Sequence, residues 1–134
     1  MKHITISNQL KEWLWDKHQK KSYYVPNGLN FDMISFQKEY RQKGYPLRII
    51  VEGSKQHPLK GIDTAIKAIK QIRNKTKIPF EVWHMSQTKD DFPCDKQFVN
   101  PIQTDIPKIY SSCDIVLKTT LIEGSPLPHM ESMA

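Results

Sequence analysis

The chain has 134 residues, 38% of them hydrophobic and 25% charged, which allows one modest core in a protein somewhat poor in apolar residues. No apolar run approaches the ~20 residues that span a bilayer, and the start, MKHITISNQL, lacks the apolar stretch of a signal peptide, so the expected location is cytoplasmic. The net charge of +6 favours anionic partners, and Cys94 and Cys113 lack the spacing of a zinc site or a redox pair.

Residues 3–7 (HITIS) predict a short strand, and Ser7 an N-cap for a helix over 8–18 with Leu10, Trp13 and Leu14 as its buried stripe. The dense basic patch KHQKK, Lys17 to Lys21, reads as a solvated helix end. The alternative is a surface for nucleic acid or membrane, which no nucleic-acid motif supports. Residues 22–25 (SYYV) predict a second strand, closed by the turn Pro26-Asn27-Gly28, with Gly28 expected at positive φ. Residues 29–45 are irregular or weakly helical up to Gly44-Tyr45-Pro46, the expected boundary between two structural units.

Beyond it the pattern is regular. Residues 47–51 (LRIIV) predict a strand and 54–60 a polar loop. Ile62, Ala65, Ile66, Ile69 and Ile72 then recur at helical spacing up to about residue 74. Further strands are predicted over 80–85, 97–99 and 114–119, with a helix over 104–112 before the last. Strands alternating with helices indicate a Rossmann-like α/β fold, a parallel sheet with flanking helices. Trp13, Trp15 and Trp83 are expected in the core, and the histidines have no metal-ligand spacing.

In such a sheet ligands bind beyond the carboxyl ends of the strands, where strand order reverses. With order 3-2-1-4, strands 47–51 and 114–119 are neighbours at that point, and the loops leaving them face one crevice. One loop carries Lys55, His57 and Lys60; the other carries Glu123, Gly124, Ser125, Pro126 and Leu127 at the start of a helix. Ser125 is the expected N-cap and Pro126 the first helical residue, leaving free amides and the positive end of the helix dipole for phosphate. Glu131, five residues beyond Pro126 or ~7.5 Å along the axis, suits a pair of hydroxyls one sugar ring away. The site reads as one for a sugar attached to a phosphate. Solvated lysines and ordinary surface glutamates are the alternatives at each position.

These residues resemble a family. Glu123-Gly-Ser-Pro-Leu-Pro-His-Met-Glu131 is similar to the E-x7-E motif of the group 1 retaining glycosyltransferases of GT-B architecture. Val25-Pro-Asn-Gly-Leu29 resembles the entry to their donor-binding domain, Leu59-Lys-Gly-Ile-Asp63 their Lys-Gly loop, and Tyr110-Ser-Ser-Cys-Asp-Ile-Val116 the tract before their fourth strand. The resemblance implies a nucleotide-diphosphate sugar as donor, transfer with retention to an unknown acceptor, and no required metal or other cofactor. It implies ribose at Glu131, the donor sugar at Glu123 as the catalytic carboxylate, and the diphosphate at Lys60, Lys55 and the Gly124–Leu127 turn. The family pairs that lysine with an arginine after the first strand's glycine. Here Ser54 follows Gly53 and Lys55 takes that part, a departure in chemistry because lysine lacks the guanidinium fork.

By the same resemblance, residues 1–28 correspond to the last βαβ-like unit of an acceptor domain, 29–46 to a linker, and 47–134 to a truncated donor-binding domain. The chain is thus expected to be a fragment, with little transferase activity alone. Self-association through the open edge of strand 114–119 and peripheral membrane association are the further partner expectations. A non-catalytic module binding a nucleotide or sugar phosphate, and a basic binder of nucleic acid or membrane surface, are the alternative functions.

Overall fold

The computed structural model describes residues 2–41, 43–44 and 46–134. Tyr45, inside the expected boundary, lies outside the described residues. The described residues form two separate parallel sheets. In the first, β1 (His3–Thr5) pairs with β2 (Ser22–Tyr24) across α1 (Asn8–His18). Ser7 caps α1 as expected, its Oγ accepting the Leu10 amide at 3.2 Å. The expected buried stripe of α1 is not formed: no residue of the helix is buried, and Leu10, Trp13 and Trp15 are exposed. A two-stranded sheet is too narrow to cover a helix face, so the apolar residues of α1 have no layer to pack against. Gly28 also departs from expectation. It does not have positive φ, because the chain runs on without a turn through residues 25–30.

The second sheet contains β3 (Leu47–Glu52), β4 (Phe80–Ser86), β5 (Lys96–Val99) and β6 (Ile115–Leu117), in the order β5-β4-β3-β6. This is the expected 3-2-1-4 order, with every pair parallel. β3 is central because it is apolar on both faces: Ile49, Ile50 and Val51 are all buried. Each such side chain contributes ~1.5–3 kcal/mol through burial. One face packs Ile50, Trp83 and Met85 against Ile109 and Tyr110 of α3 (Ile106–Ser111). The other packs Val51 and Val82 against Ile62, Ala65 and Ile69 of α2 (Ile62–Lys75). Ile72, expected in the same stripe, is exposed. Trp83 is in the core as expected; Trp13 and Trp15 are not.

The β4–β5 connection, residues 87–95, contains no helix. Parallel neighbours ordinarily need a longer, helical crossover. Here Phe92 fills the helix's place: it is buried in the α2-side cluster and stacks on His84 at 4.3 Å. After β6 the chain forms α4 (Leu127–Met133). Among the described residues no helix is long and apolar enough to cross a membrane.

Candidate functional site

The site is built where two loops at the carboxyl ends of β3 and β6 are joined. β3 is followed by Gly53, at φ +130°, and the loop after it closes in a single 3-10 turn, Pro58–Lys60, followed by Gly61 at φ +64°. A Cβ at position 61 would fall 2.1 Å from the Thr119 carbonyl oxygen, so only glycine allows this approach. Thr119 Oγ1 donates to the Gly61 carbonyl at 2.7 Å, and the Leu121 amide to the Leu59 carbonyl at 2.9 Å. These bonds hold Lys60 beside Glu123, with Nζ 3.7 Å from Oε1. Sequence reasoning had placed these two residues in one crevice, and the geometry brings them together.

A third residue, unforeseen in the sequence, lies between the loops. The Lys118 side chain is 1% exposed, and its ammonium donates to Glu52 Oε2 at 2.6 Å and to Glu123 Oε1 at 3.1 Å. Burial works to lower the Lys118 pKa, but the hydrogen bonds and charges of Glu52 and Glu123 outweigh it and leave it raised. For Glu123 burial pulls upward, yet the Lys118 hydrogen bond and the charges of Lys118 and Lys60 hold it below the ordinary carboxylate value. Glu123 is therefore a fixed anion. In the sequence Glu52 and Lys118 are 66 residues apart, and only the pairing of β3 with β6 brings their opposite charges together.

Glu131 differs from Glu123. It lines a cavity of about 240 Å³ with Glu52, Ser86, Gln87, Asn100 and Tyr110. Burial, and then the charge of Glu52, push its carboxyl up, with Lys118 acting weakly the other way. Tyr110 OH, on the same cavity, is buried with no hydrogen-bond partner among the described residues. Burial, with Glu52 and Glu131 adding to it, raises the phenol and keeps it a neutral donor. The cavity thus offers carboxylate acceptors, a phenol and amide side chains, the chemistry that binds a ring rich in hydroxyls. Glu52 and Tyr110 are functional candidates that the sequence reading did not single out.

The turn before α4 is shifted from expectation. The helix begins at Leu127, Pro126 precedes it at φ −78° and ψ 80°, and no side chain caps it. The Leu127 amide instead donates to the Ser125 carbonyl at 2.9 Å. This tight turn through Pro126 takes Ser125 out of the capping position. Gly124 faces the start of α1, where a Cβ would meet Ile6 Cδ1 at 3.5 Å and Leu10 Cδ1 at 4.0 Å. A groove of about 330 Å³ runs there between Leu10, Trp13, Ile122 and Glu123. Lys55 sits on the β3 loop with an exposed side chain, as does His57, while His129 is half-buried on α4. Lys20 and Lys21 line a separate cavity beside Trp15 and Tyr23. Among the described residues no three His, Cys, Asp or Glu side chains are grouped as a metal site requires.

No family model and no curated protein matches the chain. Among solved structures it is similar to sucrose-phosphate synthase from Thermosynechococcus elongatus, with a TM-score of 0.78 and 16% sequence identity. The match covers 98% of this chain and 38% of that one, so the chain spans well under half the length of its structural neighbour. The chain therefore has an α/β fold, parallel sheets flanked by helices, similar to part of a glycosyltransferase.

Proposed function

We propose that the chain is the donor-binding portion of a retaining glycosyltransferase that moves a sugar from a nucleotide diphosphate to an acceptor. In this reading residues 47–134 bind the donor, 29–46 are a linker, and 1–28 belong to the acceptor side. The observation that carries it is the contrast between two carboxylates at one crevice. Glu123 is held by two lysines through Oε1, whereas the half-buried Glu131 opens on a cavity of about 240 Å³. An ionised carboxylate held in place is suited to stabilise positive charge developing on a transferred sugar. A carboxylate left open to a cavity is suited to accept hydrogen bonds from ribose hydroxyls.

Lys60 supplies positive charge for the departing diphosphate, with Lys55 on the same loop as a second point charge. In the turn from Gly124 to Leu127 only the Gly124 and Ser125 amides can add donors, because Pro126 has no N–H and the Leu127 amide is bonded to the Ser125 carbonyl. These groups neutralise the diphosphate without calling on a metal. The fold similarity to sucrose-phosphate synthase supports glycosyl transfer as the reaction class.

The test is a calorimetric titration of the chain with UDP, GDP and ADP, repeated on Glu131→Ala. Binding of at least one nucleotide, weakened about tenfold or more by loss of the charge-assisted bonds, is expected. No binding, or an affinity indifferent to Glu131→Ala, overturns the proposal.

A further inference from the structure

A buried polar cluster lies on the α2 side of the sheet, beneath the loop that carries Lys55, and the proposed chemistry does not use it. Its centre is Asp90 in the helix-free β4–β5 connection, with a side chain 2% exposed. Asp90 Oδ2 accepts the Lys55 amide at 2.8 Å, and Oδ1 accepts the Ser54 hydroxyl at 3.2 Å. The Gln56 amide donates to the same Ser54 Oγ at 3.2 Å, so three successive loop residues are held through one carboxylate.

Asp90 is itself anchored. Gln97 Nε2 donates to its carbonyl at 3.0 Å and to His84 Nδ1 at 3.1 Å. An amide nitrogen only donates, so Nδ1 carries no proton, and Nε2–H donates to the Gly53 carbonyl at 2.8 Å. His84 thus ties β4 to the Gly53 turn, with Phe92 stacked on its face. A buried carboxylate is stable only when donors satisfy it, and here hydroxyl and backbone donors from the Lys55 loop do so. The result is a lysine whose backbone is fixed from below while its side chain reaches solvent.

We propose that Asp90 is a positioning residue for Lys55. It fixes the backbone from which the Lys55 side chain reaches the anionic part of the ligand, so the loop itself need not be ordered on binding. This rests on the donor reading above, which supplies the diphosphate that Lys55 faces.

The experiment is a double-mutant cycle in the whole chain, reading UDP, GDP or ADP affinity in wild type, Asp90→Ala, Lys55→Ala and the double variant. Asp90→Ala is expected to weaken binding about five- to tenfold in the wild-type background, and about twofold or less when Lys55 is already alanine. Asp90→Asn keeps a carbonyl for the Lys55 amide and is expected to restore affinity to within about twofold. Should Asp90→Ala fail to fold, Ser54→Ala, which removes one of the two ties, runs the same cycle. In the unliganded protein, amide exchange at Lys55 is expected to be slowed about tenfold over a free loop. Equal losses in both backgrounds, or rapid exchange at Lys55, overturn the role of Asp90 alone. If wild type binds no nucleoside diphosphate, the donor reading fails and the role of Lys55 fails with it.

Discussion

Lys118 Nζ lies 3.1 Å from Glu123 Oε1, and Glu52 holds the same ammonium from the other side at 2.6 Å. Removing the lysine leaves two carboxylates facing each other across the space it filled. Lys118→Met is expected to destabilise the fold by roughly 3 kcal/mol, the low end for a broken buried pair because both carboxylates reach solvent. The triple change Glu52→Gln, Lys118→Met, Glu123→Gln removes the charges together and should recover much of that loss. Urea unfolding of the two variants checks both values.

The same pairing sets a pH dependence. The Glu123 carboxyl is lower in the folded protein than its ordinary 4.5, so its contribution is complete above that value and is lost as pH falls through the folded one. Lys118 is raised above its ordinary 10.5, so its contribution is present below that value and lost as pH climbs through the folded one. Glu123→Gln is expected to flatten the acid limb of a plot of melting temperature against pH and to leave the limb above pH ~10 much less changed.

Glu131 has the opposite sign. Its carboxyl is raised in the folded protein, chiefly by burial, so the ionised form opposes folding once pH exceeds the ordinary 4.5. Glu131→Gln should therefore melt higher than wild type at pH 7 while binding nucleoside diphosphate more weakly, the exchange of stability for function expected of a ligand-facing charge. Thermal melts with and without nucleotide test both halves.

Gly61 and Gly28 form a matched pair. Alanine at 61 meets the Thr119 carbonyl and must hold φ +64°, which alone costs ~1–2 kcal/mol for a residue with a Cβ. Alanine at 28 meets nothing within 4 Å and has no positive φ to satisfy, so it should change stability by less than ~0.5 kcal/mol. Comparison of melting temperatures decides between them.

Phe92, with the partly buried Cys94 beside it in the chain, packs where a crossover helix would otherwise supply several side chains. Phe92→Ala is expected to lose ~3–5 kcal/mol, as for an aromatic ring removed from a packed core, although it lies in a polar loop. Chemical denaturation measures it.

The four-stranded sheet was legible because runs such as LRIIV and FEVWHM are apolar on both faces, as central parallel strands must be, and helical spacing separated two of them. Lys60 and Glu123 were legible for a related reason: strand order alone brings their loops to one crevice. Lys118 was not, since a lysine in a short strand reads as a solvated edge and its partner Glu52 is 66 residues away. The missing crossover helix left a weak apolar signal, Phe92 and Cys94 among aspartates and a lysine. Burial of α1 was misjudged because amphipathic spacing shows which face of a helix is apolar, not whether anything covers it.

The close seam between Gly61 and Thr119 also bears on the order in which this protein is put together. The residues it joins are 58 positions apart, so the lysine loop is synthesised long before the backbone that locks it. Closing so long a loop costs chain entropy that only docking of β6 on β3 returns, which makes the lysine-carboxylate crevice a late product of folding. A chain caught before β6 docks would have its central strands formed and its binding chemistry still apart.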